Sequence, residues 1–127
     1  MTKTLLTLAA FAISSAVVAE EFSALGKSTR DAVVRVEVSG PKGASLGSGF
    51  VVRADGVVAT NFHVVDEASQ GKVVFDDGKS LDIEGVLVDR KDHDMVLLKV
   101  RSDEKLPFLP LAEALPAQGE DVFTFGN

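Results

Sequence analysis

Short runs of alternating apolar and polar residues occupy much of the chain. Val34, Val36 and Val38 alternate with charged residues, and a period of two is typical of a strand with one buried face. Residues 39–43, Ser-Gly-Pro-Lys-Gly, then interrupt the pattern with residues that favour turns. The alternation therefore predicts a first strand that begins at Ala32 and ends at this turn.

Two Asp-Gly pairs, at residues 55–56 and 77–78, each separate two runs of apolar or β-branched residues. An Asp-Gly pair between apolar runs is a strong signal for a tight hairpin. The two pairs therefore predict two hairpins, built from strands at residues 45–53, 57–60, 73–75 and 81–83.

The strand that begins at Leu81 continues through a change of phase. Leu81 and Ile83 share one face, but beyond Gly85 the apolar positions move to Val86 and Val88. A glycine at such a change is typical of a β-bulge, which lets a sheet bend and close. We predict a bulge at Gly85, with Val86 and Val88 turned inward.

Two further apolar runs complete the predicted strands. Residues 95–100 are apolar apart from one lysine, and residues 122–125 form a shorter run. Between them, the prolines of residues 106–115 indicate an extended connection. Six or seven short strands with little helical periodicity predict an antiparallel all-β domain, either a sandwich or a small barrel.

The first 19 residues have the parts of a secretory signal peptide. Lys3 supplies a basic start, residues 5–18 an apolar run shorter than a membrane span, and Ala19 a small residue at the cleavage position. We predict a signal peptide over residues 1–19, export to the periplasm or extracellular space, and no stable membrane insertion after cleavage. An uncleaved anchor or a first core helix is the alternative. Residues 20–30 are predicted to form a polar N-terminal arm with weak helical spacing.

The composition limits the kinds of partner that the chain can bind. The chain has 13 Lys and Arg and 19 Asp and Glu, which gives a formal net charge of −6. Removal of Lys3 with the signal peptide makes the net charge more negative. A negative charge opposes binding to a phosphate backbone, so we expect no nucleic acid partner. The sequence has no cysteine, so packing alone must stabilise the one compact domain that this length allows.

One histidine and one aspartate are the candidates for chemistry. His63, in Thr60-Asn61-Phe62-His63-Val64-Val65, lies where a strand ends and a helical turn can begin. Asp94 lies where a charged turn enters an apolar strand. A carboxylate there could accept the Nδ1–H of an imidazole, which fixes the tautomer and leaves Nε2 free as a general base. If the two lie far apart, His63 is structural and Asp94 is a turn or capping residue.

Other chemistries lack the residue spacing they need. His63, Asp92, His93 and Asp94 are of types that bind transition metals, but no His-Glu-x-x-His or paired-cysteine pattern is present. We predict no metal and no cofactor, and we expect Asp92 and His93 to be solvated loop residues. Residues 47–49, Gly-Ser-Gly, precede a strand and not a helix, so these glycines are expected to serve close packing and not phosphate binding.

Several segments in order closely resemble the trypsin-like serine proteases of the HtrA/Deg type; they are residues 46–52, 55–65, 76–79, 94–100 and 119–127. The resemblance covers residues 31–127 and implies a six-stranded antiparallel β-barrel, the first of two. It also implies polypeptide substrates, with His63 as general base and later general acid, and Asp94 as its orienting partner. Phe62 and Met95 depart from the residues usual in that family, without touching the proton transfer.

The nucleophile of such proteases lies in a Gly-x-Ser-Gly-Gly segment after the aspartate, and none of the serines here is followed by paired glycines. We therefore expect a partial sequence of an exported serine endopeptidase. Its nucleophile, oxyanion hole and second barrel would lie beyond Asn127, so the chain alone would be inactive. The alternative is a non-catalytic, single-barrel binding module descended from a protease.

Overall fold

The alternating runs fold into an antiparallel barrel, which the computed structural model describes over residues 23–126. Its strands are β1 (Val33–Gly40), β2 (Gly43–Arg53), β3 (Val57–Thr60), β4 (Gln70–Phe75), β5 (Ser80–Arg90) and β6 (Met95–Val100). They close in the order β1-β2-β3-β6-β5-β4. The all-β prediction is confirmed. Of the two predicted forms, a sandwich and a small barrel, the structure has the barrel, with six strands.

Helical segments flank the barrel at three places within the described residues. Residues 23–32 form a helix, α1, so the described part of the predicted arm is helical and the first strand starts at Val33 instead of Ala32. A single turn, α2 (Phe62–Val65), follows β3, and a 3₁₀ turn (Lys91–His93) precedes β6. The predicted signal peptide lies outside the described residues. None of the helices described is long and apolar enough to cross a membrane.

Inward-facing β-branched side chains fill the barrel. The valines that alternate along β1 are all buried, and they pack against Val73 of β4 and against Val96, Leu98 and Val100 of β6. Burying one such side chain contributes about 1.5–3 kcal/mol relative to leaving it in water. Since the sequence has no cysteine, these contacts hold in place the strand ends that carry the candidate residues.

The second half of β5 differs from the prediction. Its pairing with β6 is irregular on either side of Gly85, as the predicted bulge requires, but Val86 and Val88 are 55% and 44% exposed and do not point into the core. Beyond Asp82, β5 pairs with β6 and no longer with β4. This part of the strand therefore projects past its neighbour, and its side chains reach solvent.

The segment after β6 is irregular. Residues 106–115 form the extended connection that their prolines predict, anchored where the N–H groups of Leu106 and Leu109 donate to the carbonyls of Ala54 and Val51, both at 2.9 Å. The strand predicted at residues 122–125 is wrong. A closed barrel pairs both edges of every strand and leaves no edge for a further strand to join.

Candidate catalytic site

A barrel strand and a single helical turn position His63. β3 ends at Thr60 and α2 begins at Phe62, as the sequence pattern predicts. Asn61 is the N-cap of the turn, and its carbonyl accepts the N–H of Val64 at 3.2 Å. Val64 is buried in the barrel core, whereas the His63 side chain is 71% exposed. The turn is thus anchored on one face and presents the imidazole on the other.

Asp94 occupies a conformation that few residues adopt. It follows the 3₁₀ turn with φ 49° and ψ 45°, in the left-handed region, which costs a residue other than glycine about 1 kcal/mol. Its N–H donates to the carbonyl of Lys91 at 3.2 Å, and its carbonyl accepts from Nδ2 of Asn61 at 3.0 Å. These bonds hold the chain where the exposed turn enters β6.

The barrel brings His63 and Asp94 together across 31 residues of sequence. Nδ1 of His63 lies 2.6 Å from Oδ2 of Asp94, and the backbone N–H of His63 donates to Oδ1 at 2.8 Å. The pairing of Thr60 with Val96 between β3 and β6 places the two strand ends side by side. The reading in which the two residues lie far apart is therefore wrong.

The contacts to His63 favour the charged form of the Asp94 carboxyl. Its pKa lies below the ordinary value of 3.8, mainly because the backbone N–H of His63 donates to it and next because of the imidazole; partial desolvation opposes both effects. Asp94 is therefore a carboxylate at neutral pH, the form that accepts the Nδ1–H of a neutral imidazole.

The glycines of residues 47–49 allow β2 to pack closely against this site. A Cβ added to Gly47 would lie 2.5 Å from Cγ2 of Val64, and one added to Gly49 would lie 2.9 Å from the carbonyl oxygen of Ala59. Oγ1 of Thr60 also donates to the carbonyl of Ser48 at 2.8 Å. The segment thus serves close packing against the turn that carries His63, as expected.

A cleft of about 570 Å³ opens beside Asp94. Thr60, Asn61 and His93 line it together with Asp94. Much of its wall is apolar, and the apolar lining includes Phe50, Met95, Leu109, Phe123 and Phe125. A groove of about 650 Å³ elsewhere on the barrel is lined by residues such as Glu37 and Lys72 but by neither member of the pair. Apolar surface suited to a ligand therefore lies next to Asp94, although His63 is not among the residues that line the cleft.

Asp92 and His93 form a second, separate pair within the 3₁₀ turn. Nδ1 of His93 lies 2.9 Å from Oδ2 of Asp92, and both side chains are 70% exposed, as expected for solvated loop residues. Across residues 23–126, no group of three or more histidine, cysteine or acidic side chains is arranged to hold a metal ion.

Asn61 touches the site, yet the sequence pattern did not single it out. Asparagine is among the preferred N-cap residues, and its place directly before the helical turn could have marked it as one. Its side chain makes no capping bond, however, and reaches the Asp94 carbonyl instead. A contact across 33 residues has no local signal in the sequence.

Comparisons with known proteins agree with the barrel and its motifs. Residues 47–127 match the family model described as a trypsin-like peptidase domain. The chain is 34% identical over 88 residues to a probable periplasmic serine endoprotease DegP-like of Rickettsia conorii, and 39% identical over 85 residues to serine protease HTRA1 of Xenopus laevis. These alignments cover 68% and 66% of this chain, but only 17% and 18% of the relatives.

The solved structure of the HtrA-type protease AlgW with tripeptide is similar as well. It superposes with a TM-score of 0.62 at 27% sequence identity. The match covers 68% of this chain and 28% of the AlgW chain. The present chain therefore spans less than a third of that structure and less than a fifth of the two relatives.

Proposed function

The chain belongs to the trypsin-like peptidase family, as the N-terminal barrel of the HtrA type, and on this premise we propose that it is the histidine-and-aspartate half of an exported serine endopeptidase. In this proposal His63 is the general base and Asp94 orients it. The observation that carries the proposal is the 2.6 Å contact between Nδ1 and Oδ2, reinforced by the backbone bond from His63 to Oδ1.

These contacts support proton transfer through Nε2 of His63. Because Asp94 accepts from Nδ1, the neutral imidazole keeps its lone pair at Nε2. Nε2 would take the proton of an attacking serine hydroxyl, and the Asp94 carboxylate would stabilise the imidazolium that forms. The proton would then pass to the departing amine. The lowered pKa of Asp94 favours a carboxylate that stays ionised throughout.

The nucleophile and the oxyanion donors would come from residues outside this sequence. No Gly-x-Ser-Gly-Gly segment occurs in the 127 residues, and the matched part of AlgW is 28% of that chain. A base without a nucleophile cannot form an acyl-enzyme, and each oxyanion donor lowers the barrier by about 3 kcal/mol. We therefore propose that these 127 residues alone do not cleave peptides.

Polypeptides are the proposed substrates, and the periplasm is the proposed location. AlgW is described with a bound tripeptide, and the Rickettsia relative is described as periplasmic. The cleft beside Asp94 offers apolar surface for a substrate side chain. The signal-peptide pattern of residues 1–19 supports export.

Cleavage of an unfolded, casein-like substrate tests this function. We compare the 127-residue chain with the same barrel in a chain that continues through a second barrel bearing Gly-x-Ser-Gly-Gly. The longer chain should turn over, and His63→Ala should lower its kcat/KM by about 10⁴-fold or more. The short chain should match buffer. Full activity in the His63→Ala variant would overturn the role of His63.

A non-catalytic binding module gives a different pattern. It predicts a monomeric, cooperatively melting barrel in the short chain, and the result that distinguishes it from the protease is the absence of turnover in the longer one. Turnover by the short chain that is lost in His63→Ala would instead refute the absence of a nucleophile. Size-exclusion chromatography and a thermal melt of the short chain report whether it is monomeric and cooperatively folded.

A further inference from the structure

We propose that Asn61 is a positioning residue, which holds the Asp94 carboxylate in line with the His63 imidazole. Its significance rests on the proposed function, but its evidence is the geometry. Nδ2 of Asn61 donates to the carbonyl oxygen of Asp94 at 3.0 Å, across 33 residues of sequence. This bond joins the end of β3 to the start of β6 at the point where the two candidate side chains meet.

Asp94 needs such a bond because its backbone conformation is unfavourable. The left-handed backbone, with φ 49°, is less favourable than extended or right-handed helical backbone, and contacts with the surroundings stabilise it. The bond from its N–H to Lys91 lies inside the 3₁₀ turn, so it shapes the turn without fixing the turn against β3. The bond from the His63 N–H holds the Asp94 carboxylate itself, whereas the Asn61 amide holds the Asp94 carbonyl and so orients the backbone from which the carboxylate extends.

Asn61 also controls the other member of the pair. Its carbonyl accepts the N–H of Val64 and so starts the helical turn on which His63 lies. The side chain of Asn61, unused for capping, is available for Asp94. Asn61 therefore bonds to both elements, through its backbone carbonyl to the helical turn and through its side chain to Asp94.

The barrel does not depend on this amide. β3 and β6 pair through four residues each, from Val57 with Lys99 to Thr60 with Val96, and Thr60 is also tied to β2 through Ser48. Removing the Asn61 amide should therefore leave the fold intact and alter the alignment of the pair. This separation distinguishes a positioning role from a merely structural one.

The test reads the tautomer of His63 in the 127-residue chain. The ¹⁵N shifts of Nδ1 and Nε2, measured where the imidazole is neutral, report which nitrogen carries the proton. Asn61→Ala removes the amide, and Asn61→Asp keeps its shape and suitability as an N-cap but cannot donate when ionised. Gln70→Glu is the matched control, because Nε2 of Gln70 donates to Oγ of Ser39 at 3.2 Å, on other strands of the barrel.

We expect the unaltered chain and Gln70→Glu to show one tautomer, with the proton on Nδ1. Both Asn61 variants should show a mixture, with thermal melts close to that of the unaltered chain. Asp94→Asn should also lose the single tautomer. In the longer, active chain, Asn61→Ala should lower kcat by about 10–100-fold and leave KM unchanged.

Three results overturn the proposal. If Asn61→Ala or Asn61→Asp keeps the single tautomer while Asp94→Asn loses it, the pair is real but Asn61 does not position it, and the proposed function stands. If both Asn61 variants unfold, the residue is structural. If the unaltered chain shows no preferred tautomer, the pair does not form in solution and the proposed function falls as well.

Discussion

Two His–Asp pairs have their carboxylates two residues apart, at the turn that precedes β6, and they differ in how each carboxylate is held. The contact from His63 to Asp94 is 2.6 Å long and that from His93 to Asp92 is 2.9 Å. The two imidazoles are also exposed to nearly the same extent, 71% and 70%. Distance and exposure of the ring therefore do not separate a candidate catalytic pair from two solvated neighbours.

The difference lies in the backbone around each carboxylate. Asp92 and His93 are adjacent on one turn, and contacts between exposed side chains contribute about 0–1 kcal/mol. Asp94 instead meets a residue from another strand end, accepts a backbone N–H from it, and is itself held by Asn61. Fixed geometry, and not proximity alone, is what proton transfer requires.

The largest effect is expected when the carboxylates of Asp94 and Asp92 are each replaced by an amide and kcat/KM is compared. In the longer, active chain, Asp94→Asn should lower kcat/KM by about 10⁴-fold, because the amide no longer fixes the tautomer that leaves Nε2 free. Asp92→Asn, the matched control two residues away, should change it by less than about twofold, as expected for a surface site. Steady-state kinetics on the two variants measure both numbers. Equal losses would erase the distinction between the pairs.

Packing beneath α2 is the next point of difference, since it supports His63 but not His93. A Cβ on Gly47 would lie 2.5 Å from the buried Val64 side chain, so Gly47→Ala should destabilise the barrel by about 1–3 kcal/mol. Urea denaturation measures this change in the free energy of unfolding. NMR spectra should show shifted His63 resonances and unchanged His93 resonances.

Gly85→Ala is the control for that substitution, because a Cβ there would meet no atom within 4 Å. Its free energy of unfolding should stay within about 0.5 kcal/mol of the unaltered chain. A Gly47→Ala variant as stable as this control would mean that the helical turn adapts freely and is not fixed by the strand below it.

Local patterns predict the strands well and the tertiary surroundings poorly. The alternation of β1 and the two Asp-Gly hairpins lie in the structure as predicted, because each depends on neighbouring residues. Val86 and Val88 follow the same alternation but lie where β5 extends beyond β4. Residues 122–125 are apolar apart from Thr124, but the closed barrel leaves no free edge for them to join. Strand length and barrel closure are properties of the whole sheet.

The candidate site, like the fold, can be predicted only in part from local patterns. The placement of His63 at a strand end, and of Asp94 at the start of another, can be predicted from local patterns and the family resemblance. The sequence favours Asp94 over Asp92 because Asp94 directly precedes the apolar run, but it cannot show that the carboxylate reaches His63. The pairing of β3 with β6 places the start of β6 beside the end of β3, and this contact has no local signal.

Low pH should weaken the contact between His63 and Asp94, and it should do so in a defined pH range. Since the folded-state pKa of Asp94 is below 3.8, its contribution to stability is complete above that value and is lost as the pH falls through the lower, folded-state pKa. The urea midpoints of the unaltered chain and Asp94→Asn should therefore converge as the pH falls below 3.8. Asp92→Asn corrects for the loss of one charge. A constant difference between the midpoints would contradict this coupling.

The smallest expected effect concerns Phe62, the first residue of α2. Nζ of Lys91 lies 5.4 Å from the centroid of the Phe62 ring, so a cation–π contact links the turn before Asp94 to the turn that carries His63. Such a contact at an exposed site contributes about 0.5–1 kcal/mol. A double-mutant cycle with Lys91→Met and Phe62→Leu, followed by urea denaturation, should give a coupling energy of that size. Lys91→Arg should preserve it, because a cation remains over the ring. A coupling energy of zero would mean that this contact does not link the two turns.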